Sequence, residues 1–259
     1  MGVLAATTTV LLALPVVVLL GRAVLGGSLR AAVEDPAIVD ALVLSLATTA
    51  VSLVLTIALG TPLAFVLARR RFPGSTLVEA IVDLPIVLPP SVAGLALLLA
   101  FGRRGLLGGP LASVGIELPF STLAVIMAQA FVAAPFFIRA ARAGFAGVDA
   151  DLEDAARVDG GDEWAVLRRI TLPLSAAPLA AGLVMTWARA MGEFGATIMF
   201  AGNIQGLTQT LPLVVYSEFQ SSLDGSIAAA AILVLAALGV LISVRLIHWR
   251  SVFGVAALP

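Results

Sequence analysis

The residues that could do chemistry in this chain are few, and their types exclude most reactions. Of its 259 residues one is a histidine, none is a cysteine and none is a lysine, so all 15 basic side chains are arginines. The phosphate-binding loop G-x4-G-K-[ST] requires a lysine, and a lone His248 supports neither a histidine metal cluster nor a Ser-His-Asp triad. With no thiolate and no clustered carboxylates, we expect no enzyme activity, no ATP hydrolysis by this chain, no metal site and no cofactor.

One ionisable pair lies in an otherwise apolar stretch, residues 187–203. Arg189 and Glu193 are four positions apart, so a helix would place them side by side, where each compensates the charge of the other. The pair either fixes helix packing or takes a direct part in moving a substrate, and the sequence leaves both open. Thr197 and Asn203 add uncharged hydrogen-bonding groups to the same stretch.

A second group of charged residues is concentrated in one short segment. Between Asp149 and Arg169 ten of 21 positions are charged, although the whole chain is 12% charged and 60% hydrophobic. Asp149 can cap a helix with an acidic first turn, which the glycine pair at 160 and 161 would end. A second helix is predicted from Asp162 to Arg169, again with charges that match the helix dipole. We call residues 149–171 the charged island.

The elements that carry these residues are predicted to be membrane helices. The mean hydropathy is +1.09, and apolar stretches of about 20 residues, enough to cross a bilayer, recur along the chain. Six spans are predicted, and the first is interpreted as a retained helix rather than a signal peptide because no basic residue precedes it. We expect one all-helical transmembrane domain over residues 1–259, with spans at 3–20, 41–68, 84–101, 118–138, 172–200 and 225–244.

Arginine counts predict the orientation. One set of alternate connections holds ten arginines and the other holds four, and cytoplasmic loops are the arginine-rich ones. Both termini and the charged island are therefore predicted to be cytoplasmic in a multi-pass protein of the cell membrane. The run Arg69-Arg70-Arg71 is interpreted as a topology signal that contacts lipid headgroups, and not as a nucleic-acid site.

Prolines mark the start of the third predicted span. Pro89, Pro90 and Ser91 follow "DLPIVL", and proline stops or kinks a helix unless protein or water satisfies the freed backbone groups. The segment is either a simple helix entry or a shaped wall of a translocation pathway.

The spacing within the island resembles a known motif. Asp154-Ala155-Ala156, then Gly160, then Ile170, Leu172 and Pro173 match E-A-A-x3-G-x9-I-x-L-P, the "EAA" loop of ABC-importer permeases, with Asp154 in the place of glutamate. In that family the loop is the coupling helix that docks in a groove of a cytoplasmic ATPase subunit. The resemblance thus implies that the island binds an ATPase, through Asp154, Ala155, Ala156, Gly160, Ile170, Leu172 and Pro173.

The proline segment and the 187–203 stretch resemble oxyanion permeases, more closely the molybdate and tungstate type than the sulfate type. The resemblance implies a six-helix type I importer bundle that works as a homodimer with two ATPase subunits and an extracytoplasmic binding protein. Molybdate or tungstate is the expected substrate; the alternatives are sulfate or thiosulfate and, more remotely, an ion-gradient-driven secondary transporter. The expected pathway or gate residues are Pro89, Pro90, Ser91, Arg189, Glu193, Thr197 and Asn203.

Overall fold

The computed structural model describes the backbone of residues 1–254 and the side chains of residues 1–30 and 32–242, and every regular element in that part is a helix. The all-helical fold class is therefore confirmed. The predicted cytoplasmic C-terminus lies outside the described residues. The helices are α1 (Gly2–Leu25), α2 (Ser28–Glu34), α3 (Pro36–Arg69), α4 (Ser75–Val87), α5 (Pro90–Phe101), α6 (Gly108–Ser113), α7 (Thr122–Ala146), α8 (Ala150–Val158), α9 (Glu163–Val166), α10 (Leu172–Leu174), α11 (Ala176–Met191), α12 (Gly195–Phe200), α13 (Leu211–Ser221) and α14 (Leu223–Gly254).

Within the part of the chain that the structure describes, four unbroken helices are long and apolar enough to cross a membrane: α1, α3, α7 and the first 20 residues of α14. They contain or overlap the predicted spans at 3–20, 41–68, 118–138 and 225–244. Pro15, Pro62 and Pro135 lie inside three of these helices without ending them, which neighbouring helices and polar side chains permit in a membrane protein. Two further spans exist if each of two bent helix pairs counts as one.

The third predicted span, 84–101, is wrong as a single helix. The chain forms α4 and α5 with a bend of 119° between them. The cause is the pair Pro89-Pro90, because a residue before proline is forced out of the helical region. Leu88 and Pro89 both have extended backbones, with ψ of 134° and 136°, and Pro90 then begins α5.

The fifth predicted span, 172–200, is also interrupted. Residues Glu163–Leu174 and Ala176–Met191 are bent by 70°, and α12 is separated from α11 by Gly192, Glu193 and Phe194. The second island helix does not finish at Arg169 as predicted, because a π-helical turn over Leu167–Thr171 joins α9 to α10. Such turns tend to occur at functional sites.

The described residues form two compact units. The first comprises residues 1–46 with those from Asn203 onward; its core joins α2, the start of α3, α13 and α14 through Ala32, Ile38, Leu211, Val214 and Ala228. Within this unit α1 is almost entirely exposed, and only Ala23 is buried. The second unit is Ala47–Gly202. The single transmembrane domain remains a prediction.

Helix α7 lies at the centre of the second unit. An apolar cluster of small and large residues packs it against α5 and α12, and a second cluster packs it against α3 and α11. Buried polar contacts also join the helices, since Gln129 Nε2 donates to Thr49 Oγ1 at 3.3 Å and Thr49 lies 3.8 Å from Met191 Sδ. Hydroxyl and amide groups are typical of helix contacts inside membranes.

Candidate functional sites

The charged island begins with two capped helices. Asp149 Oδ1 accepts a hydrogen bond from Asp151 N at 3.0 Å, and Asp162 Oδ1 accepts one from Ala165 N at 2.7 Å. The predicted cap at Asp149 is confirmed, and Asp162 caps the second helix in the same way. Each side chain satisfies a backbone N–H that has no partner within its own helix.

Helix α8 ends where the glycine pair predicts. Gly161 N donates to Ala156 O and Gly160 N donates to Arg157 O, the two bonds of a Schellman motif. Gly160 has φ +90°, a left-handed conformation that other residues adopt only with strain. The glycine at this position therefore allows the chain to reverse towards α9.

The outer surface of the island is partly apolar. Leu152 is 50% exposed, Val158 is 86% exposed and Trp164 is 65% exposed. Ala155, on the same helix as Leu152 and Val158, is also exposed. These large apolar side chains are therefore exposed and available to contact a partner. Asp154 is exposed beside this surface.

Arg157 links the two island helices. Its guanidinium contacts Asp154 at 2.7 Å and Glu163 at 2.9 Å. The hydrogen bond from Arg157 to Glu163, and then the positive charge of Arg157, lower the pKa of Glu163 below its ordinary value. The ion pair therefore stabilises the folded state at a pH above the ordinary pKa of Glu163. This stabilisation is lost as the pH falls through the lowered pKa. Because the groups are exposed, the contribution is small.

The second half of the motif is more buried than the first half. Leu172 is half-buried and packs on the cluster that contains Phe137 and Phe145. Ile170 is half-buried, and Pro173 is exposed at the start of α10. The first half of the motif is thus available to a partner, while Leu172 attaches the island to α7 and α11.

Sequence reasoning missed a buried contact beneath α8. Glu153 Oε1 accepts hydrogen bonds from Arg69 Nη2 at 2.5 Å and from Thr171 Oγ1 at 2.7 Å. Arg69 thus takes part in this ion pair with a side chain that is 21% exposed, and the lipid contact of the arginine run remains a prediction. No local pattern could have indicated the ion pair, since it joins residues 84 positions apart.

A second candidate site is a cavity of about 340 Å³ lined by Pro90, Ser91, Arg189 and residues 192–195. The structure thus brings together four of the predicted pathway residues. Arg189 Nη1 lies 2.6 Å from Glu193 Oε2, so the predicted ion pair forms. Glu193 is 1% exposed, and its other oxygen accepts a hydrogen bond from Ala196 N at 2.7 Å.

The remaining predicted pathway residues are elsewhere. Pro89 is exposed at the α4–α5 break. Thr197 is fully buried on α12, and among the described residues its hydroxyl has no hydrogen-bond partner. Asn203 belongs to the first compact unit, where its Nδ2 donates to Ser217 Oγ at 2.8 Å. A role for these three residues in transport remains a prediction.

The walls of the cavity depend on two glycines. A Cβ added to Gly94 would lie 2.6 Å from Ala196 O, and one added to Gly195 would lie 2.7 Å from Pro90 Cβ. The backbones of α5 and α12 therefore approach more closely than any side chain would permit, as is usual for small residues in membrane helix contacts.

We expect Gly94→Ala to push α5 away from α12 and to destabilise the protein by about 1–3 kcal/mol, the usual range for overpacking. Thermal unfolding of the detergent-solubilised chain measures this. Gly21→Ala is the matched control, because Gly21 lies near the C-terminal end of α1 and a Cβ there meets nothing within 4 Å among the described residues. In a helix alanine is favoured over glycine by about 0.5–1 kcal/mol. Equal unfolding temperatures for the two variants would contradict the close approach.

The chain is similar to several known proteins. The chain is 42% identical over 214 residues, 83% of its own length and 81% of the relative's, to the molybdenum transport system permease protein ModB of Mycobacterium tuberculosis. It is 38% identical over 213 residues to the ModB permease of Escherichia coli, covering 82% of this chain and 93% of that one. A crystal structure of a bacterial ABC transporter involved in alginate import superposes with a TM-score of 0.72 at 18% identity, covering 86% of this chain and 83% of that one, which shows the fold.

The family model described as binding-protein-dependent transport system inner membrane component matches residues 60–250, a range that contains both candidate sites. The chain therefore belongs to the family of inner membrane components of binding-protein-dependent transport systems.

Proposed function

We propose that this chain is the membrane-spanning permease subunit of an ABC importer that carries molybdate into the cytoplasm. The observation that carries the proposal is the exposed apolar surface of α8 and α9 on an otherwise charged island, in a chain without the lysine that an ATP-binding loop needs. Energy must then come from a separate ATPase that binds this surface. The choice of molybdate rests on two permeases named for molybdenum transport, at 42% and 38% identity.

The island is proposed to dock in the ATPase through the first half of its motif. Ala155 and Ala156 carry small side chains that allow a helix to enter a groove, and Asp154 offers a carboxylate at the rim. Leu152 and Trp164 supply the large exposed apolar area, the kind of anchor that contributes most to binding. Two permease copies would present two islands, one to each of two ATPase subunits.

In this proposal the island and both termini face the cytoplasm, as the arginine distribution favours. An extracytoplasmic binding protein delivers the anion to the opposite side. The chain then lies in the inner membrane, where the island can reach a cytoplasmic ATPase. The exposed apolar faces of the long helices are the surfaces that contact lipid.

The cavity beside the ion pair is proposed to lie along the anion's path. Ser91 is exposed there, and its hydroxyl can donate a hydrogen bond to an oxyanion. Arg189 is 28% exposed but is neutralised by Glu193, so the site has no net positive charge that would trap a dianion. Charged groups at membrane depth usually face such water-accessible spaces.

The test is uptake into proteoliposomes that contain the permease, the partner ATPase and the binding protein. We expect molybdate to accumulate only when ATP is present on the side of the membrane that carries the island and the ATPase. No accumulation is expected when the ATPase is omitted. Tungstate should compete with molybdate, whereas sulfate should not.

Each alternative has its own outcome in the same assay. Uptake driven by a proton gradient without the ATPase would contradict the proposal and favour a secondary transporter. Equal competition by sulfate or thiosulfate would be consistent with an ABC importer but would contradict molybdate as its substrate.

A further inference from the structure

Helix α8 carries the proposed docking surface, yet it is attached to the rest of the protein by very little. It has nine residues, too short for a helix to be stable without tertiary contacts. Within Ala150–Val158 the one buried residue is Glu153, whereas its neighbours Leu152 and Asp154 are exposed. A force applied to the outer surface of α8 therefore reaches the membrane helices through buried Glu153, through the backbone at each end, and through the exposed Arg157–Glu163 pair that joins α8 to α9.

The carboxylate of Glu153 joins three segments. Arg69, its ion-pair partner, is the last residue of α3, and the same guanidinium donates to Val148 O, just before α8, at 3.4 Å. Thr171, its hydroxyl partner, is 1% exposed in the π-helical turn that leads to α10 and α11. One carboxylate thus connects the docking helix to the end of one long helix and to the start of another.

The helix ends that receive these bonds are themselves rigidly packed. Phe65 on α3 and Phe145 on α7 make an edge-to-face contact with ring centroids 5.6 Å apart. Ala64, Phe137 and Leu172 belong to the same apolar cluster. Packed interiors of this kind move as units and transmit displacement, so a shift of Glu153 is passed to α3, α7 and α11 together.

The Glu153–Arg69 pair differs from the other ion pairs of the island. Arg157 pairs with Asp154 and Glu163 on a surface where all three side chains are at least 38% exposed, and pairs of that kind contribute little. The side chain of Glu153 is 8% exposed. Removing one partner of a buried pair leaves an uncompensated charge and breaks the connection.

We propose that Glu153 is the positioning residue that couples the ATPase to transport, because it fixes the docking helix to α3 through Arg69 and to the following transmembrane segment through Thr171. This rests on the proposed function, in which α8 binds the ATPase. Glu153 itself faces away from the docking surface. Its loss therefore separates ATP hydrolysis from anion movement without removing the surface that the ATPase binds.

The experiment compares the number of molybdate ions imported per ATP hydrolysed, using the complete complex in proteoliposomes. For Glu153→Ala we expect the ATPase to co-purify and to hydrolyse ATP, while this ratio falls about tenfold, within the range of coupling between distinct sites. Glu153→Gln, which keeps the shape and loses the charge, should give an intermediate ratio. Glu117→Gln is the matched control, because Glu117 forms a similarly short but exposed pair with Arg103, and its ratio should not change.

A rescue distinguishes positioning from simple stability. The chain has no cysteine, so Arg69→Cys/Glu153→Cys creates the only two thiols, and a cysteine-free ATPase completes the complex. Without a cross-linker the double variant should be uncoupled, and a short bifunctional thiol reagent should restore the ratio. If Glu153→Ala keeps the normal ratio, or if the cross-linked variant stays uncoupled while folded, the inference is overturned.

The same experiments distinguish a failure of the proposed function from a failure of the role proposed for Glu153. If the ATPase does not bind the unaltered permease, the docking proposal fails and the inference fails with it. If the ATPase binds and drives import in every variant with the same ratio, the docking proposal stands and only the role of Glu153 is rejected.

Discussion

Glu193→Ala is expected to lower the free energy of unfolding by about 3–5 kcal/mol, the loss typical of removing one partner of a buried ion pair. Glu193 is 1% exposed, and Arg189 lies 2.6 Å from it. The change also removes the acceptor of the Ala196 N–H at the start of α12. Thermal unfolding in detergent and the yield of inserted protein are the measurements.

The double variant Arg189→Gln/Glu193→Gln separates packing from transport. It leaves no unpaired charge, so stability should recover to within about 1.5 kcal/mol, as when a buried pair is replaced by neutral groups of similar size. If the pair only fixes helix packing, molybdate uptake should recover as well. If the charges face the anion's path, uptake should stay low in a stable protein. An undiminished stability of Glu193→Ala would contradict the burial of the pair.

Gly160→Trp is expected to weaken binding of the ATPase by about tenfold to a hundredfold, since overpacking a tight contact costs about 1–3 kcal/mol and each 1.4 kcal/mol is a factor of ten. No described residue lies within 4 Å of a Cβ added at Gly160, so the indole would project outward into the partner's space. The six predicted spans contain no altered residue, and the amount of permease in the membrane should hold. Co-purified ATPase and stimulated ATP hydrolysis measure the loss.

The structure adds a control for this variant. Gly160 has φ +90°, so any side chain there strains the backbone, at about 1–2 kcal/mol for a non-glycine residue. Gly160→Ala carries this strain without the bulk, and the difference between the two variants reports the contact with the ATPase alone. If both variants bind the ATPase as tightly as the original chain, the loop is only a solvated connection.

Features that depend on neighbouring residues could be predicted from the sequence. The long apolar helices follow from the hydropathy of contiguous stretches, and the caps at Asp149 and Asp162 follow from side chains that bond the backbone two or three positions away. The Arg189–Glu193 pair is equally local, because one helical turn separates its members. The glycine stop at Gly160 needs only the backbone preferences of one residue.

The prolines in the sequence predicted where a helix is interrupted. They did not predict the angle between the two helices or the residues that pack against the interruption. Leu88 and Pro89 become extended because each precedes a proline, and that much is local. The 119° bend and the placing of Pro90 beside Gly195 depend on how α5 packs on α12. The cavity that gathers Ser91, Arg189 and Glu193 therefore arises from packing between segments about a hundred positions apart, which composition and spacing do not encode.

By itself the sequence determined the helical class, the membrane character, the charged island and the motif that points to an ATPase. Tertiary structure alone decided which island residues face outward and which are buried. Asp154 and Glu153 are adjacent carboxylates with the same local propensities, yet one is exposed and the other is bound to Arg69 and Thr171. Their difference comes from long-range packing that brings the end of α3 beneath α8, and burial of a charge is a property of that whole environment rather than of the residue.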